Sequence, residues 1–395
     1  MIRRILSVLV VLALCVSVYA QDAPQQPGKG AGKPAMGGMG GRGSFTPTPF
    51  VRPETMPEAT PENIDKAIAK GVEYLKTKGQ GEDGSFSKFM GIGISAFVTG
   101  AMLDAGLSPD DPAVAKGLKY LEGFVQPDGG IYNPDMMLIT YESCIAIDTF
   151  VKANADGRYN NILKRAETFI RSTQYNEENG YSADNLNYGG SGYGTMGRAD
   201  LSNTGFFLDA LKSLGAKADD PAIQKAMVFV SRCQNCESPH NTTKFADKNP
   251  DGGFFYVCVG DGNMENGGMR SYGSMSYTGL KSFIYANMDT NDVRYKAAMD
   301  WIKKYYTVEE NPMQQQAGVY YYFNTFGKTM SLLGQDSFTD ANGKAHNWRA
   351  ELASEIIARQ QPDGSWKNGD SNRWMENDQN LATAYAIRAL VMTKK

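Results

Sequence analysis

Cysteine is scarce in this chain, with five in 395 residues, and one of them, Cys15, falls in the N-terminal apolar run. The other four, Cys144, Cys233, Cys236 and Cys258, are too few to staple a large domain, which excludes a disulfide-framework protein. A surplus of one charge is also missing. Forty Lys and Arg stand against 43 Asp and Glu, a net charge of −3, with both signs mixed throughout. There is no basic stripe, so no nucleic-acid partner is expected. Long apolar runs are lacking as well. Even the N-terminal one, residues 5–18, is shorter than the ~20 residues of a membrane-spanning helix, so no transmembrane anchor is expected.

What is present begins with that run. Arg3 and Arg4 precede it, and Val18-Tyr19-Ala20 closes it before Gln21, the make-up of a secretory signal peptide over residues 1–20. The protein is therefore expected to be exported, into the periplasm or beyond. Leu12-Ala13-Leu14-Cys15 has a bulky Leu14 where a lipoprotein signal has a small residue. Residues 21–61 are rich in Gly, Pro, Gln and Met, as in Met36-Gly37-Gly38-Met39-Gly40-Gly41. Such a segment buries too little apolar surface to offset its ordering entropy and reads as a flexible leader. The remaining residues, 62–395, are long enough for two domains.

A repeat runs through them without a break, and it predicts one domain instead. A basic residue, Gly or Ala, and an aromatic–aliphatic pair recur as Lys70-Gly71 with Tyr74-Leu75, Lys116-Gly117 with Tyr120-Leu121, Arg165-Ala166 with Phe169-Ile170, and Lys225-Ala226 with Phe229-Val230. A copy longer by one residue runs from Lys296-Ala297 to Trp301-Ile302. Most copies lead to a Gln and a Gly-x-aromatic turn, clearest at Gln361-Pro362-Asp363-Gly364-Ser365-Trp366. The turn glycines are read as Gly84, Gly129, Gly180, Gly252, Gly318 and Gly364, giving six units. Each unit pairs an amphipathic segment, such as Ile64, Ala67, Ile68, Gly71, Val72 and Leu75 on one stripe, with a segment apolar on nearly all faces, such as residues 92–103. Asp111-Pro112 and Asp220-Pro221 mark helix starts. One exposed and one buried helix per unit predict an all-α double ring of about twelve helices. Long insertions are expected at 176–199, 236–273 and 306–318, where sites tend to sit.

These turns resemble the QW-type repeats of the terpenoid cyclase and protein prenyltransferase superfamily, including squalene cyclase, over residues 64–393. The resemblance implies an α/α toroid with a central aromatic cavity, in which the Gln and the aromatic of each turn tie one helix to the next. It also implies two sets of site residues, and this sequence departs from both. The cyclase acid run, Asp-x-Asp-Asp followed by Thr, falls on Asp200-Leu201-Ser202-Asn203-Thr204, with Ser202 at the acid and Asn203 beside it. A serine hydroxyl cannot protonate an alkene. The prenyltransferase zinc ligands, Asp-x-Cys and a later His, fall on Arg270, Tyr272 and the neighbourhood of Asn324-Thr325, so no zinc triad is implied. The Gly-Cys-Gly-Glu-Gln thioester of complement-like toroids is absent.

Three kinds of site remain. A polar cluster of Asp200, Ser202, Asn203, Arg270, Tyr272 and Tyr277 on inner helices suits an isoprenoid-like or other apolar ligand, with aromatic walls from Tyr320, Tyr321, Tyr322 and Phe323. Glu142, Asp148, Asp209 and Asp378 offer paired carboxylates for a carbohydrate-active alternative. Cys233, Cys236, His240 and Cys258 have the spacing of a metal site, against a disulfide or plain buried thiols. The tract Arg373-Trp374-Met375-Glu376-Asn377-Asp378 is placed to cover the cavity mouth. No cofactor is implied, and a scaffold that binds through its inserted loops stays open.

Overall fold

The computed structural model describes residues 45–195, 197–258, 264–265 and 268–394. The expected signal peptide, Cys15 and residues 21–44 of the leader lie outside them. Twelve α-helices alternate between an outer and an inner ring among the described residues. The outer helices are α1 (Pro61–Tyr74), α3 (Pro112–Glu122), α5 (Asn160–Ser172), α7 (Pro221–Arg232), α9 (Val293–Lys304) and α11 (Trp348–Ala358). The inner helices are α2 (Gly93–Asp104), α4 (Ile139–Lys152), α6 (Leu201–Ser213), α8 (Gly273–Tyr285), α10 (Val319–Leu333) and α12 (Gln379–Thr393). Each inner helix packs on the next, and α12 packs back on α2, so the inner ring closes. Two short antiparallel hairpins, Met264–Glu265 with Gly268–Met269 and Phe338–Thr339 with Ala345–His346, lie in the connections.

The amphipathic stripe turns inward as expected: Ile64, Ala67, Ile68, Gly71, Val72 and Leu75 are all buried. α2 and α12 are buried nearly all round. Asp111 and Asp220 cap α3 and α7 by accepting from the backbone N–H of Ala113 and Ala222.

The Gln ties are present in four turns, with two shifts of register, while the side-chain amide of Gln126 in the second turn bonds only the carbonyls of Phe124 and Tyr132 in its own turn. Gln80 donates its side-chain amide to the carbonyls of Gly84 and Ala113, Gln174 to Gly189 and Ala222, and Gln234 to Gly252 and Arg294. In the last turn the residue that does this is Gln360, bonded to the carbonyls of Gly364 and Ala67, and not Gln361. The third turn glycine is Gly189, not Gly180. A Cβ on Gly189 would run into the carbonyl of Lys225, while one on Gly180 would meet open space. The insertion holds an extra Gly-containing turn, which the motif spacing alone cannot distinguish.

The leader expectation also needs correction over residues 45–60. This stretch runs along the toroid: Phe50 N–H donates to Asp370 (3.1 Å), its ring lies under the Arg359 guanidinium (4.3 Å), and Arg52 pairs with Glu309. Ser354 donates to the carbonyl of Pro57 at 2.6 Å. A half-buried aromatic, the ion pairs of Arg52 with Glu309 and Glu355, and a few backbone hydrogen bonds dock a segment whose composition reads as unstructured.

Candidate functional site

All six inner helices point their N-termini at one end of the ring, where they enclose a chamber of about 210 Å³. Its wall takes Ile94 from α2, Tyr141 from α4, Ser202 and Phe206 from α6, Ser274 and Met275 from α8, Tyr321 from α10, and Leu381 and Tyr385 from α12. Connections add Met90, Met136, Leu138, Tyr193, Tyr256, Tyr272 and the tract Trp374-Met375-Glu376. The rings interlock, with Tyr141 edge-on to Phe206 at 5.4 Å and Tyr321 against Tyr385 at 5.8 Å.

The tract 374–376 lies across the wall in an unusual backbone. Trp374 and Met375 both have left-handed torsions, φ 51° and 64°, each of which costs a bulky residue on the order of 1–3 kcal/mol. Trp374 is nearly parallel to Tyr272, 9° between planes and 6.4 Å between centroids, with the Arg373 guanidinium 4.2 Å from its own centroid. A Cβ at Gly318 would sit 2.7 Å from the Trp374 ring, so only glycine fits beneath it.

Glu376 is the one carboxyl in the chamber wall among the described residues. It caps α10, accepting from the N–H of Tyr321 (2.7 Å) and Tyr320 (3.2 Å) and from the Asn368 amide (2.9 Å). Burial pushes its carboxyl up to about 7 against the pull of those donors. Glu142 does the same for α2, accepting from Ile92 N–H and Asn133 N–H, both at 2.7 Å, and is likewise pushed by burial to about 7. Asp200 caps α6 through Asn203 N–H (2.8 Å), takes a second bond from the Asn203 amide (2.6 Å) and one from Tyr256, and burial lifts it to about 6. Three buried carboxyls thus meet three positive helix ends around one chamber.

No protein-family model matches the chain, and no curated protein is significantly similar to it in sequence. Solved structures do match. The apo type II terpene cyclase MstE from Scytonema superposes with a TM-score of 0.50 at 12% identity, covering 84% of this chain and 98% of that one. A family 76 glycoside hydrolase from a bovine Bacteroides thetaiotaomicron strain gives 0.52 at 12%, covering 84% of this chain and 78% of that one. The chain has the α/α-toroid fold of the terpene cyclases. At these identities the likeness concerns the fold, and the toroid's chemistry has to be read from its own residues.

Of the residues singled out in the sequence, Ser202 and Tyr272 line the chamber, and Ser202 shares a hydrogen bond with the Tyr321 hydroxyl at 2.9 Å. Asp200 and Asn203 lie one layer behind the wall, bonded to each other. Arg270 is half-buried and precedes the wall residue Tyr272 without lining the chamber. Tyr277 is not a cavity residue. It is packed between the rings against Tyr322 (5.6 Å) and Phe326 (4.9 Å), because the helical turn from Tyr272 to Tyr277 carries it to the far face of α8. Of the expected aromatic wall, only Tyr321 faces the chamber. Tyr320, Tyr322 and Phe323 are buried in the helix packing.

The metal candidates are not assembled. Cys233 and Cys258 meet at 3.0 Å, Cys236 reaches only the carbonyl of Glu237, and His240 lies on the rim of a separate surface groove. Among the described residues no group of three or more His, Cys, Asp or Glu is placed to hold a metal.

The acidic residues do not face one another across the chamber. Asp378 caps α12 through Leu381 N–H. Asp148 and Asp209 sit at the opposite end of the ring, by a second cavity of about 310 Å³. There Asp148 pairs with Lys152 (2.6 Å) and Arg388 (2.5 Å), and Asp209 with Lys281 (2.6 Å) and Lys328 (3.0 Å). Despite burial, Lys281 and Lys328 hold Asp209 down at about 2.

Sequence reasoning set the tract 373–378, with Glu376 in it, over the cavity mouth without giving that carboxyl a role, and missed Tyr141, Phe206, Tyr256 and Tyr385. A signal exists for some of them: Tyr141, Phe206, Tyr321 and Tyr385 each lie in the first two turns of an inner helix, at the end that faces the chamber.

Proposed function

We propose that this protein is exported and that its aromatic chamber binds an isoprenoid-like or similarly apolar ligand, without the acid-initiated chemistry of a type II cyclase or the zinc-dependent transfer of a prenyltransferase. The observation that carries this reading is the wall itself. It is built from Tyr, Phe, Trp, Met, Leu and Ile, and its polar side chains other than tyrosine are Ser202, Ser274 and Glu376. Such a wall holds hydrocarbon by burial and dispersion, and its ring faces suit polarisable double bonds. At the acid position stands Ser202, hydrogen-bonded to Tyr321. Glu376 is a weak acid whose lone pairs are engaged by backbone donors, which suits helix capping far better than alkene protonation. A glycosidase would need two carboxyls across the ligand, and this wall offers one.

The test is binding of geranylgeraniol, followed by quenching of the tryptophan emission, together with native mass spectrometry of the purified protein. Saturable quenching is expected, with an affinity at least tenfold weaker in Tyr385→Ala, which removes a ring from the wall, and unchanged in Tyr305→Ala on the outer ring. Saturable binding of an oligosaccharide from a glycan panel with no binding of geranylgeraniol would overturn the reading.

A further inference from the structure

The four cysteines are not equivalent. Cys144 belongs to α4 and borders the charged cavity. Cys236 turns away toward its own backbone. Cys233, at the end of α7, and Cys258, beyond the turn at Gly252, bring their Sγ atoms to 3.0 Å, both fully enclosed. The backbone aligns them independently of the sulfurs. Phe255 N–H donates to the Cys233 carbonyl at 3.0 Å, and Gln234 forms an antiparallel bridge with Phe254.

We infer that Cys233 and Cys258 are joined by a disulfide in the mature protein. Closing the gap to a bonded ~2.05 Å needs a shift of about 1 Å. Both thiols lose their hydrogens as the S–S bond forms, and the two electrons and two protons pass to a small-molecule disulfide such as oxidised glutathione, whose own S–S bond breaks to give two thiols. Burial pushes the Cys233 thiol well up, and with both sulfurs enclosed no exchange partner reaches either of them in the folded chain. The bond therefore forms while the chain folds, and once enclosed it withstands reductant. Its effect reaches the chamber. The cross-link fixes the segment 254–258, which carries the wall residue Tyr256, and Tyr256 in turn accepts at its carbonyl from Leu201 N–H (2.8 Å) and bonds Asp200. The inference does not depend on which ligand the chamber takes.

The experiment uses the full chain refolded in the presence of oxidised and reduced glutathione, freed of both, then denatured and treated with iodoacetamide before or after reduction, with peptide mapping. Cys144 and Cys236 should be alkylated at once, and Cys233 and Cys258 only after reduction, with a 233–258 linked peptide in the unreduced digest. Millimolar dithiothreitol added to the folded protein should leave the link intact. The Cys258→Ser variant should show Cys233 alkylated without reduction and melt about 3–6 °C lower, the loss expected for a cross-link closing a loop of this length. Alkylation of Cys233 and Cys258 without reduction, or a Cys233–Cys236 peptide in their place, would overturn the inference.

Discussion

Glu376 and Glu142 are carboxyls shut away from solvent. Each is a buried carboxyl held near 7 while capping an inner helix. Their unfolded-state values are near 4.5, so the folded protein binds more protons between about pH 4.5 and 7. Stability is therefore full below that window and falls as pH rises through it, by ~3 kcal/mol for each such carboxyl at most. Asp200, lifted to about 6, adds in the same direction. Asp209, held at about 2, acts oppositely but only below about pH 4. The melting midpoint should thus be higher at pH 5 than at pH 8, and Glu376→Gln should flatten the slope; a midpoint that climbs steadily to pH 8 would contradict this assignment. At the repeat turns, Gln360→Ala should cost about 1–3 kcal/mol, since it strips two carbonyls of their donor, whereas Gln361→Ala should be nearly neutral. Chemical denaturation of the two variants separates them. The motif led to Gln361 because two adjacent glutamines read alike in sequence, and only the path of the chain decides which amide reaches Ala67.

Among the elements, the inner helices carry two chemistries at their two ends. Their N-terminal turns supply Tyr141, Phe206, Tyr321 and Tyr385 to the chamber, and their C-terminal halves supply Asp104, Asp148, Asp209, Lys281, Lys328 and Arg388. Cations at helix C-termini are favoured by the macrodipole, and the aspartates hold them across helix boundaries: Asp209 of α6 binds Lys281 of α8 and Lys328 of α10. Asp209→Ala would leave Lys281, 4% exposed, without its carboxylate. A loss of about 3–5 kcal/mol is expected, measurable by urea denaturation, and Asp209→Ala with Lys281→Met should recover much of it. The paired-acid reading of Asp148 and Asp209 set them across the central cavity, whereas they border a second cavity at the other end of the ring. Ion pairing is the ordinary role of such acids, and the four cations that supply it could not be named in advance because they lie on helices far apart in sequence.

Over the whole molecule, the closed ring needs its first and last helices to meet. α12 packs on both α1 and α2, and Gly71 of α1 lets the Trp366 ring approach so closely that a Cβ there would sit 2.7 Å from it. The docked stretch 45–60 adds to this seam through Phe50 over Arg359. A chain beginning at Pro61 should therefore melt several degrees below one beginning at Phe45, by calorimetry.

The sequence by itself determined the double ring, its six units, the helix starts at Asp111 and Asp220, and that Ser202 and Tyr272 stand where the resemblance would put an acid and a zinc ligand. Those are local matters: periodicity sets which face is buried, and a side chain either has the chemistry or lacks it. Tertiary structure alone decided which residues share the chamber. Tyr272 just before α8 and Tyr277 within it are five residues apart yet belong to different environments, and Glu376 enters the wall through a strap whose left-handed turn no pattern announces. Closing a ring brings residues hundreds of positions apart into contact, and the rotation of each helix about its axis, fixed by packing against two neighbours, selects which side chains face the centre.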